Sequence, residues 1–550
     1  MRFRVVAFGL AALTLAASGD RERRPAFDVL LRGGTVIDGT GAGGYRADVG
    51  ITGERIAAIG DLSSAGAQRV VDASGLVVAP GFIDMLGWSQ YTILVDSRGY
   101  SKVTQGVTTE VTGEGWSPGP VNANTLRGDS AQLAAWGLVV DWHDLNGWFR
   151  RLESSGTPFN MATFVGATTL RLYVMGEARR APTRGELQQM ESLADTAMRQ
   201  GALGVSTALV YEPGSYARTA EIVALARVAA RYGGLYISHI RDEGGGIRSA
   251  LREAFTIGRE ANVPVEVWHL KVSGRQNWGR MPAILAQFDS LRAAGRRVGA
   301  NSYPYVASAT GLSAALPAWA RVGGAARMVE RLRDPAVRAR VRREIGGLGG
   351  VLLLSTLDTA LRRYQGLRIP EIAAQMHEDP ADALMDIIVA DDGNSGAAYF
   401  SMSEEDVRDA VATPWVGVGS DFGATAPDGP LFQGPVHPRA YGTFSRILGH
   451  YVRDLHALSL ETAVHKMTGV PAERLGLRER GLLREGYFAD IAVFDPASVA
   501  DRATFEQPHQ SAAGIRYVLV NGRFTLDDGR LTAERPGRAL RGPGWTEASP

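Results

Sequence analysis

Residues 219–240 read TAEIVALARVAARYGGLYISHI. A helical stretch runs to a pair of glycines, Gly233 and Gly234, which stop it. A short apolar strand follows and ends on His239. This unit of helix, glycine stop and strand, closed by a polar side chain, is repeated on both sides. Upstream lies a second such helix, TRGELQQMESLADTAMRQG, stopped at Gly201. Eight short apolar strands can be read: LVVAPGFIDM, VTTEVTG, NMATFVG, GVSTALV, LYISHI, VPVEVWHL, VGANSY and VGVGSD. Strands alternating with helices predict an α/β fold, and eight such units predict a (β/α)8 TIM-like barrel.

The flanks have another texture. Residues 27–80 and 481–523 carry period-2 apolar runs broken by Gly and Asp, the pattern of hairpins. The two ends are expected to pair into one small β-sandwich, with the barrel between them. The expected organisation is a β-sandwich part over 27–80, the barrel over 81–477 and the second sandwich part over 478–540. A detour after the seventh strand, about 313–410, reads as mostly helical and Arg-rich. It is expected to be an insertion over the barrel mouth, where loops build the site in such folds.

Composition narrows the function. The chain has 550 residues, too long for one compact core, and 45% of them are hydrophobic. Basic and acidic residues balance at 59 against 58, so nothing points to nucleic acid or an anionic membrane. There is no cysteine, which excludes disulfides, thiolate ligands and a cysteine nucleophile. At the N-terminus, Arg2 and Arg4 precede an apolar run from Val5 to Ala17, followed by small residues. The run is shorter than the roughly 20 residues of a membrane span. Residues 1–19 therefore read as a secretory signal peptide, and the mature chain is expected in the periplasm or outside the cell. Position 18 is Ser, so no lipid-bearing cysteine follows.

Three polar residues close apolar strands: His239, His269 and Asp421. On neighbouring strands of a barrel they would converge at one mouth. Neutral imidazoles are good zinc ligands, and bound zinc lowers the pKa of its water to about 7. A carboxylate beside that water can take its proton and pass it to a leaving amine. Catalytic zinc usually takes three protein ligands. The third candidate lies in VTTEVTGEGW: Glu114 at the mouth, or Glu110 four residues deeper.

With these residues in hand, the sequence resembles the amidohydrolase superfamily and, within it, the N-acyl-D-amino-acid deacylases. The resemblance rests on APGFID, QGVTTEVTGEG, GALGVSTALVYEPGSYA, YGGLYISHIRDEG, VPVEVWHLKVSG, NSYPY, VGVGSD, HPRAYGTF and the long C-terminal run from ETAVHKMTG to FADIAVFDP. It implies His239 and His269 as metal ligands and Asp421 as the catalytic aspartate. It places Lys271, Arg241, Tyr211 and Tyr303 around the substrate. Lys271 and Arg241 would suit a substrate carboxylate, with scaffold ion pairs to neighbours such as Asp242 and Glu243 as the alternative.

The departures from the family pattern are specific. Its H-x-H pair is replaced by Leu86 and Trp88 in GFIDMLGWSQ, its strand-two cysteine by Gly115 with Glu114 one place earlier, and its VGH by VGA with Ala167. Leu86 and Trp88 are expected to share a strand face and fill the place of a second cation. The resulting set is one Zn²⁺ held by Glu114, His239 and His269, with Asp421 as general base and acid. A related branch, N-acetylglucosamine-6-phosphate deacetylase, is similar in using a glutamate, two histidines and an aspartate around one zinc. The expected activity is hydrolysis of the amide of a small N-acyl (D-) amino acid. Two alternatives stand beside it: a hydrolase of small peptides or cyclic amides, and a barrel that binds a ligand without turning it over.

Overall fold

The computed structural model describes residues 26–432 and 434–546. The expected signal peptide lies outside the described residues. No described helix is long and apolar enough to cross a membrane.

The central region holds parallel strands at all eight expected places. Phe82–Asp84, Val107–Thr112 and Asn160–Thr163 form one parallel sheet. The third strand continues after one residue as Val165–Gly166. That segment opens a six-stranded parallel sheet with Gly204–Ala208, Leu235–His239, Val265–Val267, Val298–Ser302 and Val416–Val418. The last strand meets the first: the Met85 N–H donates to the Val418 carbonyl at 3.0 Å, and Gly87 and Phe422 form a parallel bridge. Each strand thus neighbours its predecessor in the chain, and the eighth returns to the first.

Residues 219–240 show why the units form. Helix Thr219–Arg231 buries Ile222, Val223, Leu225, Ala226, Val228 and Ala229, one side of the helix, against the strands. Each large aliphatic side chain so buried contributes roughly 1.5–3 kcal/mol. Gly233 then turns the chain at φ +75°, a conformation that costs an L side chain more than it costs glycine. Leu235–His239 follows, buried at every position.

The two chain ends pair with each other. One hydrogen-bonded network of nine strands joins Phe27–Val36, Tyr45–Thr52, Arg55–Gly60, Ala67–Asp72 and Val77–Pro80 to Ile491–Phe494, Ile515–Val520, Arg523–Asp527 and Arg530–Leu531. LVVAP therefore does not start the first parallel strand. Val77–Pro80 pairs antiparallel with Ile491–Phe494, and Phe82–Asp84 begins the next sheet after Gly81. Strand Phe27–Val36 changes register at Gly33–Gly34, pairing with Ala67–Asp72 before that point and with Val77–Pro80 after it. Val29, Leu31, Val49, Ile51, Ile491 and Val493 share one buried cluster, so alternate residues from both ends face the same interior.

Between the seventh and eighth parallel strands the chain builds a separate core from Leu312, Met328, Leu332, Leu353, Ile372, Leu384 and Ile388. Helices dominate this stretch, as the sequence suggests. It also contains an antiparallel sheet in the order Ser308–Gly311, Gly396–Tyr399, Val351–Ser355, which the sequence reading does not anticipate.

Candidate active site

The strand ends converge on one cavity of about 1030 Å³. Glu114, His239, His269, Lys271, Tyr211 and Asp421 all line it. His239 is the last residue of the fifth strand, His269 lies two residues past the sixth and Asp421 three past the eighth. His269 (φ +34°) and Asp421 (φ +51°) both take left-handed backbone conformations. Strain of this kind in non-glycine residues is held in place by surrounding structure and clusters at functional sites.

Glu114 bridges the two histidines. Its Oε1 lies 2.8 Å from His239 Nδ1 and 2.8 Å from His269 Nε2. All three side chains are buried, and their facing donor atoms lie within 4.8 Å of one another. Burial opposes the charge on Glu114, but His269 and His239 outweigh it and hold the carboxyl well below its usual range. At His269, burial and Lys271 pull the pKa down, while Glu114, Glu243 and Asp421 hold it up to about 9. A side chain could not replace Glu114 from position 115. Gly115 sits at φ +69°, and a Cβ there would meet the Ala208 Cβ at 2.6 Å.

The second carboxylate at the rings, Glu243, is not foreseen as part of this cluster. Its Oε1 lies 3.1 Å from His269 Nδ1 and 3.6 Å from His239 Nε2, so it faces the ring nitrogens that Glu114 does not. Lys271 Nζ donates to it at 2.5 Å and also lies 2.6 Å from His269 Nδ1. Burial raises the Glu243 carboxyl, but Lys271 and the two histidines hold it well below its usual range.

Glu110, the alternative third ligand, is committed elsewhere. It accepts from the Ser89 N–H at 2.8 Å and the Ser89 hydroxyl at 2.7 Å, and Lys102 Nζ lies 3.2 Å away. Lys102 itself is fully buried and donates to Asp84 at 2.7 Å. A Cβ at Gly87 would strike the Glu110 carboxyl, so glycine is required there.

Leu86 and Trp88 part company, correcting the expectation of a shared strand face. The first strand ends at Asp84, so the period-2 rule no longer applies two residues later. Leu86 is fully buried in a cluster with Ile83, Val111 and Trp268. Trp88 lines the cavity and donates its indole N–H to Asp421 Oδ1 at 3.1 Å. Asp421 Oδ2 lies 2.8 Å from Arg439 Nη1. Both oxygens of Asp421 are therefore oriented by named partners.

Arg439 is the other residue that the sequence reading misses. It is 3% exposed, lines the cavity and stacks over the Tyr303 ring at 4.7 Å. Its Nε and the Tyr303 hydroxyl are buried without hydrogen-bond partners, and Tyr303 is not itself among the residues lining the cavity. Lys271 Nζ lies 5.7 Å from the centroid of the same ring. Tyr211 packs edge-on against His239 at 5.2 Å and donates its hydroxyl to Thr310. Arg241 does not join them. Its guanidinium is taken up by Glu253 and by the carbonyls of Ser215 and Ala217, and it is not among the residues lining the cavity. The scaffold alternative applies to Arg241, with Glu253 rather than Asp242 or Glu243 as the partner, and Lys271 makes the expected ion pair with Glu243 while also lining the cavity.

Comparison with known proteins agrees with this architecture. The model of the amidohydrolase family matches residues 69–526. The chain belongs to the amidohydrolase family. It is 41% identical to a D-aminoacylase of Alcaligenes xylosoxydans xylosoxydans over 515 residues, covering 94% of this chain and 97% of that one. Among solved structures, it is similar to an N-acyl-D-glutamate deacylase from Bordetella bronchiseptica complexed with zinc and a phosphonate mimic of the tetrahedral intermediate. That likeness has a TM-score of 0.81 at 37% identity and covers 94% of this chain and all of that one. It is likewise similar to a D-aminoacylase structure concerned with one-metal activation and second-metal attenuation at a binuclear centre (TM-score 0.80, 39% identity, covering 94% and 100%).

Proposed function

We propose that this family member is a single-zinc amidohydrolase that cleaves the amide bond of N-acyl-D-amino acids. In this reading the protein is a hydrolase of linear carbon–nitrogen bonds, like the D-aminoacylases it resembles. Residues 81–477 form a (β/α)8 barrel, 27–80 and 478–540 a β-sandwich, and about 313–410 an insertion at the mouth. Export through the N-terminal segment belongs to the same reading.

The observation that carries it is the bridging of His239 Nδ1 and His269 Nε2 by one buried Glu114 oxygen. Two imidazole nitrogens and a carboxylate oxygen are a donor set that suits zinc. Among the described residues, the places the family pattern uses for its other ligands offer no donor: Leu86 is core, Trp88 is bound to Asp421 and position 115 has no side chain, while Glu110 is paired and Glu243 is held by Lys271. Zinc in such a site supplies Lewis acidity and an acidified water.

The chain's own residues supply the rest. Asp421 accepts the proton of the attacking water and returns it to the leaving nitrogen. Trp88 and Arg439 hold it in that orientation. The unpartnered Nε of Arg439, the buried Tyr303 hydroxyl and the nearby Lys271 form a corner suited to the substrate's α-carboxylate. Tyr211 borders the same space beside His239. Glu243 orients both rings from the side away from Glu114, as carboxylates behind metal histidines do.

A screen of N-acyl amino acids of both hands, with zinc supplied, tests the proposal. Turnover of D-isomers is expected. Zinc-loaded protein that hydrolyses none of them would overturn it.

A further inference from the structure

The cavity is larger than an N-acetyl amino acid requires. Its 1030 Å³ lies at the upper end of the roughly 300–1,000 Å³ of pockets that take drug-sized ligands. Its lining is divided. Lys271 lies past the sixth strand, and Arg439, past the eighth, reaches over Tyr303, which follows the seventh. The segment after the second strand, four places round the strand order from the sixth, brings Trp116, Leu133 and Trp136 to the wall, and Tyr91 joins from the segment after the first.

This aromatic end is built in advance. Trp116 packs on Tyr211 at 5.8 Å, and Tyr211 on His239 at 5.2 Å, which carries the aromatic surface up to the metal ligands. Tyr91 stacks on Trp142, whose indole donates to the Pro118 carbonyl at 2.7 Å. The Ser117 N–H donates to Thr169 at 2.8 Å, and Asn122 caps the short helix Ala123–Leu126. Residues 116–126 of the segment are therefore fixed at several points. Asp129 also lines this end and is exposed, so the lobe opens to solvent there.

Resting on the proposed function, we propose that the aromatic lobe is the acyl site and that the substrate carries a large apolar acyl group, a medium or long alkanoyl chain or an aromatic acyl. The argument is one of direction. The scissile carbonyl must lie at Glu114, His239 and His269. The amino-acid half is drawn by its carboxylate to Lys271, Arg439 and Tyr303. The acyl half leaves the carbonyl on the other side, where Trp116 begins the apolar wall. An acetyl group would leave that wall unfilled, whereas each methylene placed against it adds apolar burial.

The test fixes the amino acid and varies the acyl group: N-acetyl-, N-octanoyl- and N-dodecanoyl-D-leucine with the zinc-loaded enzyme. The expected result is kcat/KM on the order of a hundred-fold higher for octanoyl than for acetyl. Trp116→Ala should reduce that ratio at least tenfold. Trp136→Ala, at the end of the short helix Ser130–Ala135, should reduce it in the same direction and serves if Trp116→Ala does not fold. A ratio near one, or Trp variants that alter D-side-chain preference and not acyl preference, would overturn the proposal. Equilibrium binding of the same compounds to Asp421→Asn protein separates this proposal from the one it rests on. If nothing is hydrolysed, the proposed function falls. Tighter binding of octanoyl than acetyl, weakened by Trp116→Ala, would still support the acyl lobe, and equal binding would overturn it.

Discussion

Replacing Glu243 with glutamine should weaken metal binding without removing a ligand. Its Oε1 sits 3.1 Å and 3.6 Å from the outer nitrogens of His269 and His239, and 2.5 Å from Lys271 Nζ. Loss of a carboxylate behind metal histidines typically lowers metal affinity about ten- to a hundred-fold. The same change leaves the Lys271 ammonium, 5% exposed, without its counter-charge. Breaking a buried ion pair from one side costs about 3–5 kcal/mol, less here because the amide oxygen still accepts a hydrogen bond. The two effects separate in a double variant: Glu243→Gln with Lys271→Met should regain stability but not metal affinity. Zinc titration against a competing chelator, with denaturant unfolding of each metal-free variant, provides both quantities. A Glu243→Gln protein that binds zinc as tightly as the parent would refute the idea that this carboxylate orients the rings.

Three further outcomes are expected. Asp421→Asn should lower turnover about a hundred- to ten-thousand-fold while zinc stays bound, checked by kinetics and elemental analysis on one sample. Glu114→Gln should release zinc more readily and regain part of its activity in excess zinc; normal zinc retention would make Glu114 a bystander. His437 is fully buried, accepts the Arg439 N–H at Nδ1 and donates to the Ala307 carbonyl, and burial and Arg439 hold its pKa well below 6.5. The unfolded chain therefore takes up a proton that the folded protein does not. Its contribution is intact above pH 6.5 and lost below it, by up to about 1.4 kcal/mol per pH unit. His437→Gln should flatten that acid limb in denaturant unfolding.

Much of this was legible where a residue's place follows from local pattern. The eight parallel strands stand out as apolar runs bounded by glycine or charge, and His239, His269 and Glu114 are found by where those runs stop. The misses share a cause: each depends on chain brought from elsewhere. Arg241 lies two residues from His239, yet Glu253 on the following helix and two carbonyls from the preceding segment turn it away. Arg439, eighteen residues past Asp421, reaches the site only because helix Arg439–Arg446 starts beside it. Glu243 reads as a neighbour for Lys271 but its place behind two rings needs both strands in register. The short sheet between the seventh and eighth parallel strands escaped because its strands, SATG and GAAY among them, are too short and small-sided to show a period. Leu86 and Trp88 separate because the strand stops before them, a boundary the apolar run does not reveal.

The central claim is that one zinc, held by Glu114, His239 and His269, suffices for hydrolysis of N-acyl-D-amino acids. Titrating zinc into metal-free protein while following turnover of an N-acyl-D-amino acid tests it most directly. The account predicts that activity climbs linearly to a plateau at one equivalent per chain, with no further gain beyond it. Activity that rises only with a second equivalent, or that never appears once the first has bound, would contradict it.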